Sequence, residues 1–181
     1  MDPVDPLALA RQLIDIESTT GNEGQVGRFL AEYLRARGYS VLEQPLENLP
    51  NTPDGAAPRI NVIAAVGEPE IVFSTHYDCV PPFFPSRLEG GVITGRGSCD
   101  AKGIVAAQMA AAEQLRESGV TTLGLLFVVG EELGGDGART ANGLVPAGVR
   151  FLVNGEPTDN RLGIGTRGVY RVRLRAAGRA A

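Results

Sequence analysis

The segment IVFSTHYDCVP, residues 71–81, decides how the fold of this chain is interpreted. Its first residues form an apolar run that predicts a buried strand, and polar groups begin where the run ends. His76 is the only histidine among the 181 residues. Asp78 stands two positions later, at a spacing from which a carboxylate can orient the imidazole of a metal ligand. The alternative is a histidine whose hydrogen bonds are satisfied within the core.

Four acidic residues follow other apolar segments or stand in a glycine-rich loop between them: Asp100, Glu131, Glu132 and Glu156. Sites in α/β proteins collect at the carboxyl ends of strands, so a shared position after strands indicates one common site. An imidazole with several carboxylates is typical of a hydrolytic metal centre. These residues are therefore candidate metal ligands or catalytic groups.

Each acidic residue also has a simpler interpretation. Asp100 precedes a predicted helix and could cap its N-terminus. The pair Glu131 and Glu132 could be a solvated strand end. If the pair is buried, cations would remove its repulsion, so that one carboxylate binds metal and the other acts as a general base. Glu156 could be an ordinary carboxylate in a turn.

Hydrophobic periodicity predicts alternating helices and strands. Helices are predicted at 7–16, 23–37 and 102–116, with a further one beginning near Asp136 as a possible N-cap; strands are predicted at 39–46, 61–66, 71–75, 123–129, 151–153 and 169–174, with a hairpin turn at Gly90-Gly91. This alternation predicts an α/β sandwich with a largely parallel sheet.

Composition excludes several classes of function. The net charge of −4 and the isoelectric point near 5.1 argue against a nucleic-acid partner, because no basic stripe is available to neutralise phosphates. No apolar run has the length of a membrane span and the first residues do not resemble a signal peptide, so we expect a cytoplasmic protein with no membrane partner. Phosphate-binding loops and a GxSxG nucleophile motif are absent from the sequence.

The two cysteines, Cys79 and Cys99, form no disulfide framework and are expected to be thiols. Two small buried apolar residues are the favoured interpretation. A thiolate metal ligand and a redox pair are the weaker alternatives.

Four motifs of this chain, THYDCVP, GRGSCDAKG, GEELGGDGA and NGEPT, occur in the order and approximate spacing of a known family. The chain resembles the N-terminal portion of the zinc-dependent M20-type metallopeptidases and amidohydrolases, the group of acetylornithine deacetylase, succinyl-diaminopimelate desuccinylase, aminoacylase and carboxypeptidases. Each motif alone is weak, but four in register are specific, and the resemblance covers nearly the whole chain.

The resemblance implies a role for each candidate residue. His76 and Glu156 would bind one metal, Asp100 would bridge two metals, and Glu132 would bind the second. Glu131 would be the general base and Asp78 would support His76; both are catalytic residues. The metals would be two zinc ions, although cobalt or manganese suits the same donors. The peptide between Asp100 and Ala101 is expected to be cis.

The resemblance also implies a fold and a reaction. We expect a three-layer α/β sandwich with a central, largely parallel mixed sheet, in which residues 1–163 form the N-terminal part of the catalytic domain. Residues 164–181 would supply the first strand of a lid or dimerisation domain, and the full-length protein would be a homodimer. The implied reaction is hydrolysis of an amide bond in N-acyl amino acids or small peptides.

Related proteins continue with further histidines that this chain lacks. We therefore expect an incomplete and nearly inactive fragment that exposes apolar surface. The alternative is a non-catalytic module that keeps the fold in order to bind a metal or a partner.

Overall fold

A computed structural model describes residues 2–144, 148–165, 168 and 172–178. Its elements, in chain order, are α1 (Pro6–Asp15), α2 (Gly24–Ala36), β1 (Ser40–Pro45), β2 (Ile60–Ala65), β3 (Ile71–His76), β4 (Arg87–Glu89), β5 (Val92–Thr94), α3 (Lys102–Glu117), β6 (Leu123–Val128), α4 (Asp136–Ala141), a 3-10 turn (Asn142–Leu144) and β7 (Phe151–Asn154). Each agrees in type and approximate bounds with an element predicted from the sequence, apart from the 3-10 turn.

The central sheet has the strand order β1-β2-β6-β3-β7. Strands β6, β3 and β7 pair in parallel, whereas β1 with β2 and β2 with β6 pair antiparallel. The mixed α/β sheet predicted from the sequence is thus confirmed, with parallel pairing limited to three strands. The chain returns from β1 to β2 through a loop without a crossover helix, and such a connection produces antiparallel neighbours. Strands β4 and β5 form the predicted separate hairpin.

Three helices cover one face of the sheet. Helix α2 packs on β1 and β2, α3 packs on β3 and β6, and α1 packs on α3. Alternate strand residues such as Val62, Leu125 and Phe127 point into this layer and are almost fully buried. Because side chains alternate along a strand, the intervening residues face the opposite side of the sheet.

The opposite face is only partly covered in the described residues. Asn61 donates a hydrogen bond to the Gly137 carbonyl of α4 and brings that short helix onto this face. Next to α4 lies an open groove of about 450 Å³, lined mainly by apolar side chains that include Ile63, Leu126 and Leu152. The second helical layer is therefore limited here to α4 and the turn that follows it.

Local signals explain where two helices begin. The Asp5 side chain accepts hydrogen bonds from the backbone N–H groups of Leu7 and Ala8, and Pro6 is the first residue of α1, as the sequence predicted. The prediction that Asp136 caps α4 is wrong. Gly135 occupies the cap position and Asp136 is the first helical residue, with its carboxylate bound by Arg59.

Strand β7 exists as predicted, but all four of its residues are exposed because it lies at the edge of the sheet. Part of the predicted strand at 169–174, residues 169–171, lies outside the described residues, and residues 172–174 have no regular secondary structure. The domain boundary near residue 163 stays a prediction. Within the described part of the chain, no helix is both long and apolar enough to span a membrane.

Candidate metal centre

His76 is the last residue of β3 and its side chain is 1% exposed. Its Nε2 atom lies 2.8 Å from Asp100 Oδ1 and 3.8 Å from Glu156 Oε2. Its Nδ1 atom faces Asp78, at 3.1 Å from the backbone carbonyl and 3.3 Å from Oδ1. One ring nitrogen therefore faces two carboxylates, and the other is held by the residue two positions later.

Three ligand atoms converge in front of His76. One atom each from His76, Asp100 and Glu156 lies within 4.8 Å of the other two. Asp100 comes from the loop before α3, and Glu156 follows β7, whose neighbour β3 ends at His76. Loop contacts fix Glu156, because the backbone N–H of Gly155 donates to the Ser74 carbonyl and the Thr75 hydroxyl donates to the Gly155 carbonyl.

The alternative role of Asp100 as a helix cap is not seen. The cap position of α3 is Ala101, which has no side-chain capping bond, and Asp100 is directed to His76 instead. The peptide bond between Asp100 and Ala101 is cis, as the resemblance implied.

Asp78 is fully buried and joins His76 to the loop that follows β6. Its Oδ1 atom accepts a hydrogen bond from the backbone N–H of Glu131 at 3.0 Å, and its Oδ2 atom accepts one from Glu132 at 3.2 Å. The Thr20 hydroxyl donates to Oδ2 at 2.7 Å. Within the described residues, each polar contact of this carboxylate is with a donor or with the imidazole, so it orients its neighbours and is itself held in place.

Glu131 and Glu132 lie in the loop between β6 and α4. The Glu131 side chain is exposed and lines the groove together with His76 and Glu156. Glu132 is half-buried, and the negative charge of Asp100 contributes to its electrostatic environment. Neither residue belongs to the three-residue cluster, so the structure brings together His76, Asp100 and Glu156 and leaves the two glutamates beside them.

The electrostatics of the site reflect its excess of carboxylates. Burial lowers the pKa of His76, but the hydrogen bond to Asp78 and the charges of Asp78, Glu156 and Asp100 outweigh it and raise that pKa to about 9. Burial raises the pKa of Asp78, but its hydrogen bonds with His76 and Thr20 outweigh this effect, so the pKa lies below its usual value. A positive charge next to this carboxylate is therefore favoured.

Two further carboxylates have raised pKa values. Burial is the main cause for Glu132, and Asp100 adds to it. Burial is also the main cause for Glu156, where the nearby positive charge of His76 acts in the opposite direction. Carboxylates crowded together in this way favour a proton or a bound cation.

The donor set fits a divalent cation. An imidazole nitrogen and carboxylate oxygens are usual ligands of zinc, and a catalytic zinc site has three protein ligands and one open position. His76, Asp100 and Glu156 supply three. A second ion beside Asp100 would find Glu132 but no second imidazole, because His76 is the only histidine in the sequence.

Lys102 and the two cysteines lie close to the site in the sequence, and of these three residues only Cys99 differs from its expected environment. Lys102 is buried and its ammonium donates to the Ile16 carbonyl at 2.6 Å, so a carbonyl compensates its charge; burial lowers its pKa to about 8. Both cysteines are free. Cys79 is buried, as the sequence analysis predicted. Cys99 was also predicted to be buried, but it is exposed because it lies in the open loop before Asp100.

Sequence reasoning missed two residues with polar contacts at or near the site. Thr20, which donates to Asp78, lies in the polar loop after α1 and carries no distinctive signal. Arg59, which binds Asp136, is fully buried. It stands directly before the apolar strand β2, and a charged residue at the start of a buried strand is a signal for a buried partner.

The fold and the site can be compared with known proteins. Residues 72–178 match the sequence profile of peptidase family M20/M25/M40. The chain is 41% identical over 180 residues to a peptidase M20 domain-containing protein of Schizosaccharomyces pombe, and 42% identical over 192 residues to a probable carboxypeptidase of Aspergillus oryzae. The chain belongs to peptidase family M20/M25/M40.

A solved structure supports the same fold. The crystal structure of a tripeptidase from Staphylococcus aureus matches 78% of this chain and 40% of its own with a TM-score of 0.63 and 26% sequence identity.

The sequence alignments with the S. pombe and A. oryzae relatives cover 96% and 97% of this chain but only 44% of each relative. The chain therefore spans less than half the length of these relatives.

Proposed function

We propose that this chain carries the metal-binding part of an enzyme that hydrolyses amide bonds in N-acyl amino acids or small peptides. The observation that carries the proposal is the convergence of His76, Asp100 and Glu156, with ligand atoms within 4.8 Å of one another. Membership of a peptidase family supports it, as do the names of a probable carboxypeptidase and a tripeptidase among the similar proteins.

We assign His76 and Glu156 to a first ion, Asp100 to two ions and Glu132 to the second. Zinc is the ion we propose, and cobalt or manganese suits the same donors. When bound, such ions polarise the scissile carbonyl and lower the pKa of the attacking water.

The remaining chemistry belongs to the protein. Glu131 presents an exposed carboxylate at the groove and is the general base, which takes a proton from the attacking water and passes it to the leaving amine. Asp78 orients both partners: it faces Nδ1 of His76, so Nε2 is left for the metal, and it binds the backbone of Glu131.

We also propose that the 181 residues alone hydrolyse these substrates slowly or not at all. Within the described residues, the second ion would have two protein ligands, Asp100 and Glu132. A catalytic zinc site has three protein ligands. The ligands and substrate-binding groups that are lacking would come from a part of the M20 fold outside these residues. The S. pombe and A. oryzae relatives are long enough to contain such a part.

Cobalt titration followed by visible absorption tests the proposal, because the spectrum reports protein ligands directly. We expect one tightly bound ion per chain and loss of the spectrum in His76→Gln. The matched control is Glu113→Gln, which alters a buried residue of α3 about three helical turns from Lys102 and should leave the spectrum unchanged.

Three results would count against the proposal. A wild-type chain without cobalt binding, or a His76→Gln variant with the wild-type spectrum, would contradict the metal centre and favour a non-catalytic binding module. Two tightly bound ions would contradict the proposed shortage of ligands for the second ion. Hydrolysis of a series of N-acyl amino acids by the metal-loaded chain then measures its residual activity.

A further inference from the structure

Arg59 is a fully buried arginine whose five N–H groups are all paired. Its Nε and Nη2 atoms donate to the two carboxylate oxygens of Glu23 at 2.9 and 3.1 Å. Its Nη1 and Nη2 atoms donate to the two oxygens of Asp136 at 2.7 and 3.2 Å, and Nη1 also donates to the Glu47 carbonyl at 2.8 Å. One guanidinium thus joins the start of α2, the loop between β1 and β2, and the start of α4.

Stability alone is a poor explanation for this ion cluster. Removing one cation and two carboxylates from water is costly, and apolar residues of similar volume often replace buried ion pairs without loss of stability. Burial lowers the pKa of Arg59, but its hydrogen bonds to Asp136 and Glu23 raise it above the usual value, so the group stays charged. The contacts of the ion cluster indicate which segment of the chain it holds in place.

Asp136 brings the ion cluster against the loop that carries Glu131 and Glu132. Gly130 begins this loop with a φ of 69°, and a Cβ atom added there would lie 1.9 Å from Asp136 Oδ1 and 2.8 Å from Arg59 Nη2. The backbone N–H of Gly135 donates to the Gly130 carbonyl at 2.7 Å and joins the two ends of the loop. The ion pair therefore packs directly on the first residue of the loop.

Asp78 holds the same loop from the other side, through the backbone N–H groups of Glu131 and Glu132. We propose that Arg59 is a positioning residue. Through Asp136 it fixes the loop 130–135 so that both N–H groups reach Asp78 and both glutamate side chains stay at the metal centre. The chemical role of the two glutamates rests on the proposed function, whereas the clamp rests on the contacts of Arg59 and Asp78.

Native-state hydrogen exchange tests the clamp in the 181-residue chain. The first variant is Asp136→Asn, which keeps the shape of the side chain and leaves the pair of Arg59 with Glu23 intact. We expect the amides of Glu131 and Glu132 to exchange about tenfold faster than in the wild type, beyond the change caused by lower global stability. Arg59→Lys should act in the same way, because an ammonium cannot bind both carboxylates in paired geometry.

The matched control is Glu113→Gln, in a second buried ion cluster. Glu113 binds Tyr39, Arg37 and Arg116 and, within the described residues, makes no hydrogen bond or ion pair with the loop, so its loss lowers stability without releasing the clamp. We expect unchanged exchange at Glu131 and Glu132 in this variant after the same correction. If Asp136→Asn and Arg59→Lys also leave these two amides at the wild-type rate, the clamp is contradicted and the cluster serves stability only.

Cobalt binding separates this inference from the proposed function. His76, Asp100 and Glu156 lie outside the loop, so Asp136→Asn should change the affinity of their ion by less than about threefold. A loss of affinity as large as that of His76→Gln would contradict a clamp confined to the loop. If the wild type binds no cobalt, the proposed function fails, and the exchange rates still decide whether the clamp exists.

Discussion

The backbone N–H of Glu131 donates a hydrogen bond of 3.0 Å to Asp78 Oδ1, an oxygen that also lies 3.3 Å from His76 Nδ1. One buried carboxylate thus connects the imidazole at the end of β3 with the loop after β6. The connection is possible because β3 and β6 are parallel neighbours in which His76 pairs with Val128. Residues that follow the two strands are therefore adjacent in space.

Asp78→Asn should weaken both halves of this connection. An amide has one acceptor oxygen, and its NH₂ group would face the backbone donors of Glu131 or Glu132. We expect the free energy of unfolding to fall by about 2–4 kcal/mol and cobalt affinity to fall about 10–100-fold. Urea unfolding and cobalt titration measure these changes. Thr20→Val removes only one hydroxyl donor to Asp78 and should lower the free energy of unfolding by about 1 kcal/mol. If Asp78→Asn and Thr20→Val lowered the free energy of unfolding equally, the central position of Asp78 would be contradicted.

Glu131 and Glu132 should respond in opposite ways to substitution. Glu131→Asp keeps the negative charge but shortens the side chain, so its carboxylate no longer reaches the attacking water. In any metal-loaded form of the enzyme that is active, hydrolysis should fall by about 10²–10⁴-fold while metal affinity is retained. Glu132→Gln should instead weaken the binding of the second ion. Parallel turnover and metal-binding measurements distinguish the two roles, and wild-type turnover in Glu131→Asp would show that the general base is wrongly assigned.

The metal-free chain should lose stability as the pH rises from 6.5 to 8. The pKa of His76 is raised to about 9 in the folded state, whereas in the unfolded chain it is about 6.5. The charged imidazole therefore stabilises the fold fully at pH values below 6.5, and this stabilisation decreases as the pH approaches 9. The expected loss is roughly 1.5 kcal/mol between pH 6.5 and 8. Above pH 8 the lowered pKa of Lys102 acts in the opposite direction, because the cost of burying its charge is relieved.

Urea midpoints at the two pH values measure this loss. The His76→Gln variant should show a much flatter dependence, because glutamine does not titrate. A wild-type chain that becomes more stable over the same interval would contradict the raised pKa of His76.

Gly130→Ala should be far more disruptive than Gly38→Ala. Both glycines have positive φ angles, 69° and 84°, but only Gly130 has a neighbour where the Cβ atom would lie. We expect about 1 kcal/mol of destabilisation at Gly38, from backbone strain, and at least about 2–3 kcal/mol at Gly130, from strain and overpacking against Asp136. Comparison of urea unfolding curves checks the difference, and equal costs would contradict the close packing of the ion pair on this loop.

The open apolar groove should cause self-association. Leu152 lines the groove and is 60% exposed. Leu152→Glu should lower the average mass in sedimentation equilibrium and reduce the binding of a hydrophobic dye, because it places a charge on the apolar surface. Leu7→Glu is the control, since Leu7 is similarly exposed on α1 and does not line the groove. Association unaffected by Leu152→Glu would show that another surface is responsible.

Much of the fold was predictable because its elements have strong local signals. The apolar run of β3 is followed at once by His76, and the run of β6 is followed by Glu131 and Glu132, so the order of strand and site could be obtained from the sequence. The antiparallel side of the sheet was not predictable, since hydrophobic patterns do not report strand direction. The exposure of β7 depends on its position at the edge, which is a tertiary property.

The supporting contacts of the site were less accessible to sequence reasoning. Asp136 is typical of an N-cap by its local sequence, yet it binds Arg59, which lies 77 residues earlier. Thr20 and Asp78 are 58 residues apart. Pairs at such separations leave no periodic signal, so only the folded arrangement relates them. The spacing of His76 and Asp78 is local and was therefore visible.

Anomalous diffraction at the zinc absorption edge, from crystals of the chain grown with zinc, tests the central claim most directly. The account predicts a peak about 2.0–2.2 Å from His76 Nε2 and from carboxylate oxygens of Asp100 and Glu156. A zinc peak bound elsewhere on the chain, or no peak near His76 at saturating zinc, would contradict it.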